Sequence, residues 1–176
     1  MKILIIGKNG QLGKSLNKII SKSNLDDDYV FIGREVLDLT DLKSISNFFK
    51  KNKFDIVINC AAYTQVDKAE NDKTIAELVN HVAVSKIASI LHLTETKLIH
   101  ISTDYVFDGL EKRPYNENNI TNPINSYGKS KLSGELAILK NMPMNAIIIR
   151  TSWLYSEFKN NFVKTMLSLG KANNEL

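Results

Sequence analysis

The chain has 176 residues, 43% of them hydrophobic and 24% charged, with a formal net charge of +4. That length can bury the core of one domain, and the composition excludes disordered and fibrous classes. The lysines are scattered over several helix faces, which reads as a solvated surface and not as a nucleic-acid patch.

The first element is "KILII" at 2–6, a continuous apolar run bounded by glycine, and it predicts a strand buried on both faces of a parallel sheet. The run is too short for a signal peptide. Next comes "GKNGQLG", with Gly7, Gly10 and Gly13 spaced G-x-x-G-x-x-G, leading into a helix that carries Leu12, Leu16, Ile19 and Ile20 at helical spacing. Such glycines either tighten a turn or let the backbone approach a pyrophosphate, with the helix starting near Gln11 aiming its free N–H groups at the phosphates. Their place after a buried first strand favours dinucleotide binding.

"YVFIG" at 29–33 predicts the second strand, ending in Gly33 and Arg34 where an NAD-specific site puts an acid for the ribose hydroxyls. Arg34 either accepts a 2′-phosphate, which leans the site toward NADPH over NADH, or is a solvated arginine. Asp38 either accepts from an adenine amino group or is a loop aspartate before a helix cap. "DLKSISNFFKKN" is an amphipathic helix whose closing lysines complement its dipole, and "FDIVINCAA" at 54–62 is the third strand. Cys60 stands alone, so no disulfide framework or metal knuckle is expected; it reads as a small core residue and suits a reducing cytoplasm.

A long helical pattern runs from about Lys73 to Leu93. His81 and His92 lie about three turns apart on it, too far to share a metal, and read as surface or packed imidazoles. No segment is expected to span a membrane. "KLIHIS" at 97–102 predicts the fourth strand, and "STDYVF" sets Ser102, Thr103, Asp104 and Tyr105 at the carboxyl edge of the sheet. The irregular stretch 108–124 follows, where open α/β sheets bind ligands. "NSYGKSKLSGE" at 125–135 opens a helix, and "AIIIRTS" at 146–152 is the last strand. The alternation predicts an α/β, doubly wound parallel sheet of Rossmann type with helices on both faces, without internal repeat or linker.

Tyr127 and Lys131, four residues apart, share one helix face. A free tyrosine with a pKa of roughly 10 is a poor proton shuttle at neutral pH, and a neighbouring ammonium favours phenolate, so the pair reads as an acid brought toward working range.

The glycine turn, the serine or threonine at 102–103 and Y-x-x-x-K at 127–131 resemble the extended short-chain dehydrogenase/reductases. More closely, "GKNGQLG", "NCAAYTQVDKAE", "STDYVFDG", "YGKSKLSGE" and "RTSWLY" are similar to the dTDP-4-dehydrorhamnose reductase family over nearly the whole chain. The resemblance implies NADPH or NADH as cofactor and reduction of a dTDP-linked 4-keto-6-deoxy sugar to dTDP-L-rhamnose. It makes Thr103, Tyr127 and Lys131 catalytic. Thr103, Asp104 and Trp153 would touch the sugar nucleotide. The cofactor would be lined by Gly7, Gly10, Gln11, Leu12, Gly13, Arg34, Asp38, Leu39, Ala62, Tyr63, Thr64, Tyr127 and Lys131.

Nucleotide-sugar dehydratases resemble the chain too, but follow their threonine with an Asp-Glu pair; here Asp104 precedes Tyr105, which favours simple reduction. An epimerase using a cysteine and histidine pair is disfavoured, since His81, His92 and His100 have no obvious cysteine partner. A reading from another class stays open, because the NADP-binding regulatory subunit of methionine adenosyltransferase, which docks to a partner enzyme, resembles the same family. Some relatives dimerise through a metal held by acids on the first helix; "KSLNKII" has none, so no metal is expected, while a homodimer remains open. The resemblance further implies that residues 1–176 form the NAD(P)-binding domain and that the smaller C-terminal portion completing the sugar-nucleotide pocket is largely absent.

Overall fold

The computed structural model describes residues 1–172. Five strands, β1 (Lys2–Ile6), β2 (Asp28–Ile32), β3 (Ile56–Asn59), β4 (Lys97–Thr103) and β5 (Ala146–Thr151), pair in parallel in the order β2-β1-β3-β4-β5. The helices are α1 (Gln11–Ile20), α2 (Leu42–Lys51), α3 (Lys73–Glu77), α4 (Ala83–Leu91), α5 (Ser126–Asn141) and α6 (Phe162–Ala172). This is the expected doubly wound α/β fold. α6, whose residues are all at least partly exposed, follows a stretch where no helix was expected.

Right-handed crossovers place the helices. The chain steps one way from β1 to β2 and the opposite way from β2 through β3 and β4 to β5, so α1 lies on one face and α2, α3, α4 and α5 on the other. On that second face Leu4, Ile6, Val57 and Leu98 pack with Ile45, Phe49, Val84, Ile87 and Ile138 in the main core. Fully burying such a side chain is worth roughly 1.5–3 kcal/mol.

Cover on both faces is incomplete. Ala146 and Ile148 of β5 pack on the core, while Ile147 and Ile149, pointing the other way, are 59% and 42% exposed. α1 covers only the β1–β2 end of that face, and within residues 1–172 nothing closes the far end. β3 is shorter than expected because the Asn59 side chain accepts the Ala61 N–H at 3.1 Å and turns the chain out of the sheet.

The long helical pattern is one continuous helix from Lys73 to Leu91, but residues Leu78–Val82 form a π turn between α3 and α4. This helix is long and apolar enough to cross a membrane by length and composition, which corrects the expectation that no segment is. Here Ala76, Ala83, Val84, Ile87, Ala88 and Leu91 are buried against protein.

Candidate active site

The glycine turn stands at the carboxyl end of β1. Gly7 has φ of +94°, and a Cβ there would lie 2.9 Å from the Ala61 nitrogen, so both backbone conformation and space require glycine. A Cβ on Gly13 would come within 2.3 Å of the Gly7 carbonyl oxygen, which fixes how closely α1 rides over the turn. The Gly10 N-cap has no capping side chain and the first turn of α1 no acid. Its opening N–H groups and positive dipole end therefore face an unfilled edge, as a pyrophosphate requires. Gln11 turns its side chain elsewhere: Nε2 donates to the Leu154 carbonyl at 2.7 Å, and Oε1 accepts from Asn161 at 2.9 Å. Leu12 is half-buried.

At the end of β2, Arg34 is exposed and donates from Nε to Asp38 at 3.0 Å. Asp38 also accepts from the Thr40 N–H at 2.9 Å and the Thr40 hydroxyl at 2.7 Å. Partial burial pushes the Asp38 pKa up, but these bonds and Arg34 outweigh it and leave it lowered. The cap of α2 is Asp41, three residues beyond Asp38. Sequence reasoning passed over Glu35, whose carboxylate pairs with Lys8 of the glycine turn, setting an acid beside Arg34. Leu39 is buried in the core, leaving its edge and backbone to face a ligand.

Beyond β3, Ala62, Tyr63 and Thr64 border the same carboxyl edge. Asn80, buried in the π turn, grips Tyr63 from both sides, accepting its N–H at 2.9 Å and donating to its carbonyl at 3.0 Å. A third bond from Asn80 reaches the Ser130 hydroxyl at 3.1 Å. The π turn thus ties the cofactor-side loop to α5, a link that an apolar helical period could not announce, although a lone asparagine inside "LVNHV" was a signal.

The start of α5 is doubly fixed. The Asn125 side chain accepts the Gly128 N–H at 2.7 Å, and Glu70 accepts from the Ser126 backbone and hydroxyl at 2.7 and 2.9 Å. Tyr127, next in line, is buried, with the Thr103 hydroxyl close enough to its phenol to oppose the rise in its pKa. Thr103 donates to Asp104 at 3.1 Å and accepts the Tyr105 N–H at 3.2 Å.

The structure departs from the expected Tyr-Lys pairing. Desolvation raises the Tyr127 pKa, with Thr103 pulling it down and Asp104 pushing it up. Lys131, 1% exposed, points into the protein, where Nζ donates to the Ile101 carbonyl at 2.7 Å and lies 3.2 Å from His100 Nε2. Burial lowers the lysine to about 8, with Glu135 opposing. The helix period put both residues on one face but could not show that the long lysine side chain turns inward.

His100 was likewise not expected. It is fully buried, and burial together with Lys131 holds its pKa well below the usual imidazole value. Glu135, also buried, bonds Arg150 through both carboxylate oxygens, with contacts from 2.6 to 3.2 Å. The Ser102 hydroxyl is a buried polar atom without a partner among the described residues. The glycine turn, with no capping side chain and no acid at the start of α1, fits the pyrophosphate of a dinucleotide. Cys60 is only half-buried, and desolvation pushes its thiol up to about 12, which leaves it inert as a nucleophile.

Asp104 is exposed at the mouth of an open cleft of about 830 Å³, which runs along the β5 edge past Tyr115, Glu117, Arg150 and Ser152. Asp108 staples the long irregular stretch beside it, accepting from Tyr115 at 2.7 Å and Asn122 at 3.1 Å. Trp153 follows β5 with φ of +49°, is 71% exposed, and meets the Phe162 ring edge-on at 4.6 Å. Such a backbone conformation costs a bulky residue about 1–2 kcal/mol.

A parallel sheet with an open glycine turn, a threonine at the end of β4 and a Tyr-Lys face on α5 defines a Rossmann-type domain of the short-chain reductase kind. The chain belongs to the family described as RmlD substrate binding domain, whose model matches residues 1–176. It is 40% identical over its full length to the dTDP-4-dehydrorhamnose reductase of Salmonella typhimurium, and spans 59% of that protein. Among solved structures, a dTDP-4-dehydrorhamnose reductase from Clostridium acetobutylicum superposes with a TM-score of 0.93 at 41% identity, over 100% of this chain and 61% of that one. Another from Bacillus anthracis, in complex with NADP, gives a TM-score of 0.88 at 38% identity over 98% and 60%. The chain therefore spans well under two thirds of the relatives it matches.

Proposed function

We propose that this chain is the cofactor-binding half of a cytoplasmic NAD(P)H-dependent reductase, acting on the 4-keto group of dTDP-4-dehydro-6-deoxy-L-mannose to give dTDP-L-rhamnose. In this reading the remaining length found in its relatives supplies most of the sugar-nucleotide pocket. The observation that carries it is the meeting of Thr103, at the end of β4, with Tyr127, at the start of α5, on the carboxyl edge of the sheet that also holds the open glycine turn. Full-length identity to dTDP-4-dehydrorhamnose reductases supports the substrate.

Gly7, Gly10 and Gly13 would admit the pyrophosphate, with Gln11, Leu12 and Gly13 offering backbone N–H groups and Ala62, Tyr63 and Thr64 bordering the far side. Arg34, Asp38 and Leu39 lie where the adenosine end would rest, and the NADP-bound relative supports the lean toward NADPH. A reduced nicotinamide, when bound, supplies the hydride. Tyr127 Oη then holds the proton for the oxygen that gains charge, and Thr103 Oγ1 gives that oxygen a second hydrogen bond. Raised by burial, the phenol stays protonated at neutral pH and is available as a donor. Asp104, which lines the cleft, and the exposed Trp153, which follows its lining residue Ser152 in the chain, would meet the sugar nucleotide.

The test uses two proteins. Residues 1–176 should bind NADPH in a fluorescence titration yet reduce a dTDP-4-keto sugar barely or not at all, because one half-site cannot hold the sugar in attack geometry. In the full-length protein, Tyr127→Phe should lower turnover about 100-fold or more with NADPH affinity nearly unchanged. Near-normal turnover of that variant would remove Tyr127 from the reaction.

A further inference from the structure

A buried chain of polar groups runs from the end of β3 through β4 to Lys131 of α5. The Ala61 backbone N–H donates to Asn59 Oδ1 at 3.1 Å, Asn59 Nδ2 meets His100 Nδ1 at 3.2 Å, His100 Nε2 meets Lys131 Nζ at 3.2 Å, and Nζ donates to the Ile101 carbonyl at 2.7 Å. Asn59, His100 and Lys131 are each at most 1% exposed, so water does not substitute for these partners. The polarity of the chain is set at one end. A backbone N–H can only donate, so Asn59 must turn its oxygen to Ala61 and its NH2 to His100. His100 Nδ1 then has to accept, and a neutral imidazole that accepts at Nδ1 carries its proton on Nε2. That proton points at the lysine nitrogen, and an ammonium has no lone pair to receive it.

We propose that His100 is a positioning residue for Lys131: held by Asn59 as the Nε2–H tautomer, it presents a donor to Lys131 Nζ and so selects the neutral amine over the ammonium.

The charges around the lysine agree. On its own helix Glu135 favours the ammonium, but Arg150 of β5 holds that carboxylate through both oxygens and offsets its field. Tyr127 lies one turn back, protonated at neutral pH, and Asp104, beyond Thr103 on β4, is exposed to solvent. From the π turn Asn80 brings only a neutral amide to Ser130. Burial, which by itself lowers the lysine to about 8 against Glu135, acts in the same direction as the histidine donor. For catalytic meaning the inference rests on the reductase reading: a lysine poised between amine and ammonium can answer charge appearing on the Tyr127 phenol, whereas a fixed ammonium cannot change.

The experiment reads protons directly on isotope-labelled protein. Long-range proton–nitrogen correlation spectra report the His100 tautomer, and the Lys131 ε-carbon shift reports its titration from about pH 6 to 11. In the unsubstituted chain the proton should sit on Nε2, with the Lys131 midpoint no higher than about 8, the value that burial alone sets. Asn59→Asp offers only acceptors, so it should draw the His100 proton to Nδ1, free the Nε2 lone pair and raise the Lys131 midpoint by about one unit or more. A proton on Nδ1 in the unsubstituted chain overturns the proposal, as does a midpoint that stays put after the tautomer has moved. Should the aspartate variant not fold, the first measurement decides alone. None of these readings uses turnover, so a protein with this coupling but no reductase activity would refute the reductase reading and leave His100 in its role.

Discussion

Lys131 is an amine buried at 1% exposure, lowered from 10.5 to about 8, and that shift carries a sign for stability. Between those two values the unfolded chain binds a proton that the folded chain does not, so the lysine's contribution is least favourable below about pH 8 and improves as pH rises toward 10.5. The stability difference between wild type and Lys131→Met, from urea titrations, should therefore shift in favour of wild type across that window. A difference independent of pH would mean that the ammonium is not disfavoured in the fold. Arg34 is tested by ligand preference. Its guanidinium already pairs with Asp38, but only NADPH adds a phosphate, so Arg34→Ala should weaken NADPH more than NADH in paired titrations. Equal losses would assign it to the Asp38 pair alone. The positions of Tyr127 and Lys131 on one helix and of Thr103 at a strand end were legible from motif and spacing; the inward turn of Lys131 was not. His100, Asn59 and Asn80 were not, since each is a polar residue inside an apolar run and its partners come from distant segments. Reading Leu98, His100 and Ser102 as one inward face of a strand would have raised the right question, namely what a buried imidazole bonds.

Helix α5 carries Tyr127 and Lys131, and its docking depends on two glycines in "YGKSKLSGE". A Cβ on Gly128 would stand 2.1 Å from the Tyr105 carbonyl oxygen, and one on Gly134 2.2 Å from that of Asn80 in the π turn. Both obstacles are backbone and cannot swing aside. Gly134→Ala gains helix propensity of about 1 kcal/mol yet should lose more to the forced separation, for a net destabilisation of roughly 1–3 kcal/mol in urea denaturation. A variant as stable as wild type would show that α5 does not need this close approach. α5 itself was plain from its residues; the π turn it rests on was not, because one extra residue per turn hardly disturbs the spacing of Ile75, Leu78, Val79 and Val82. α6 escaped notice because its residues find little in the described structure to bury against.

For the molecule as a whole, fold class and strand succession followed from the alternation of apolar runs and amphipathic stretches, while the uncovered side of β5 did not, since burial of a face depends on what else is present to cover it. Strand order has one more consequence. β1, made first, lies between β2 and β3, and β4 and β5 are then laid on one edge in the order in which they leave the ribosome. Each strand after the first therefore has its neighbour already waiting, and the chain can be built outward during synthesis without undoing any pair. The glycine turn and its flanking strands should thus exist before Tyr127 is translated. Nascent chains arrested with residues through Leu91 exposed are expected to protect β1, β2 and β3 from protease; protection that begins only once α5 has emerged would show that the nucleotide-side strands wait for the catalytic helix.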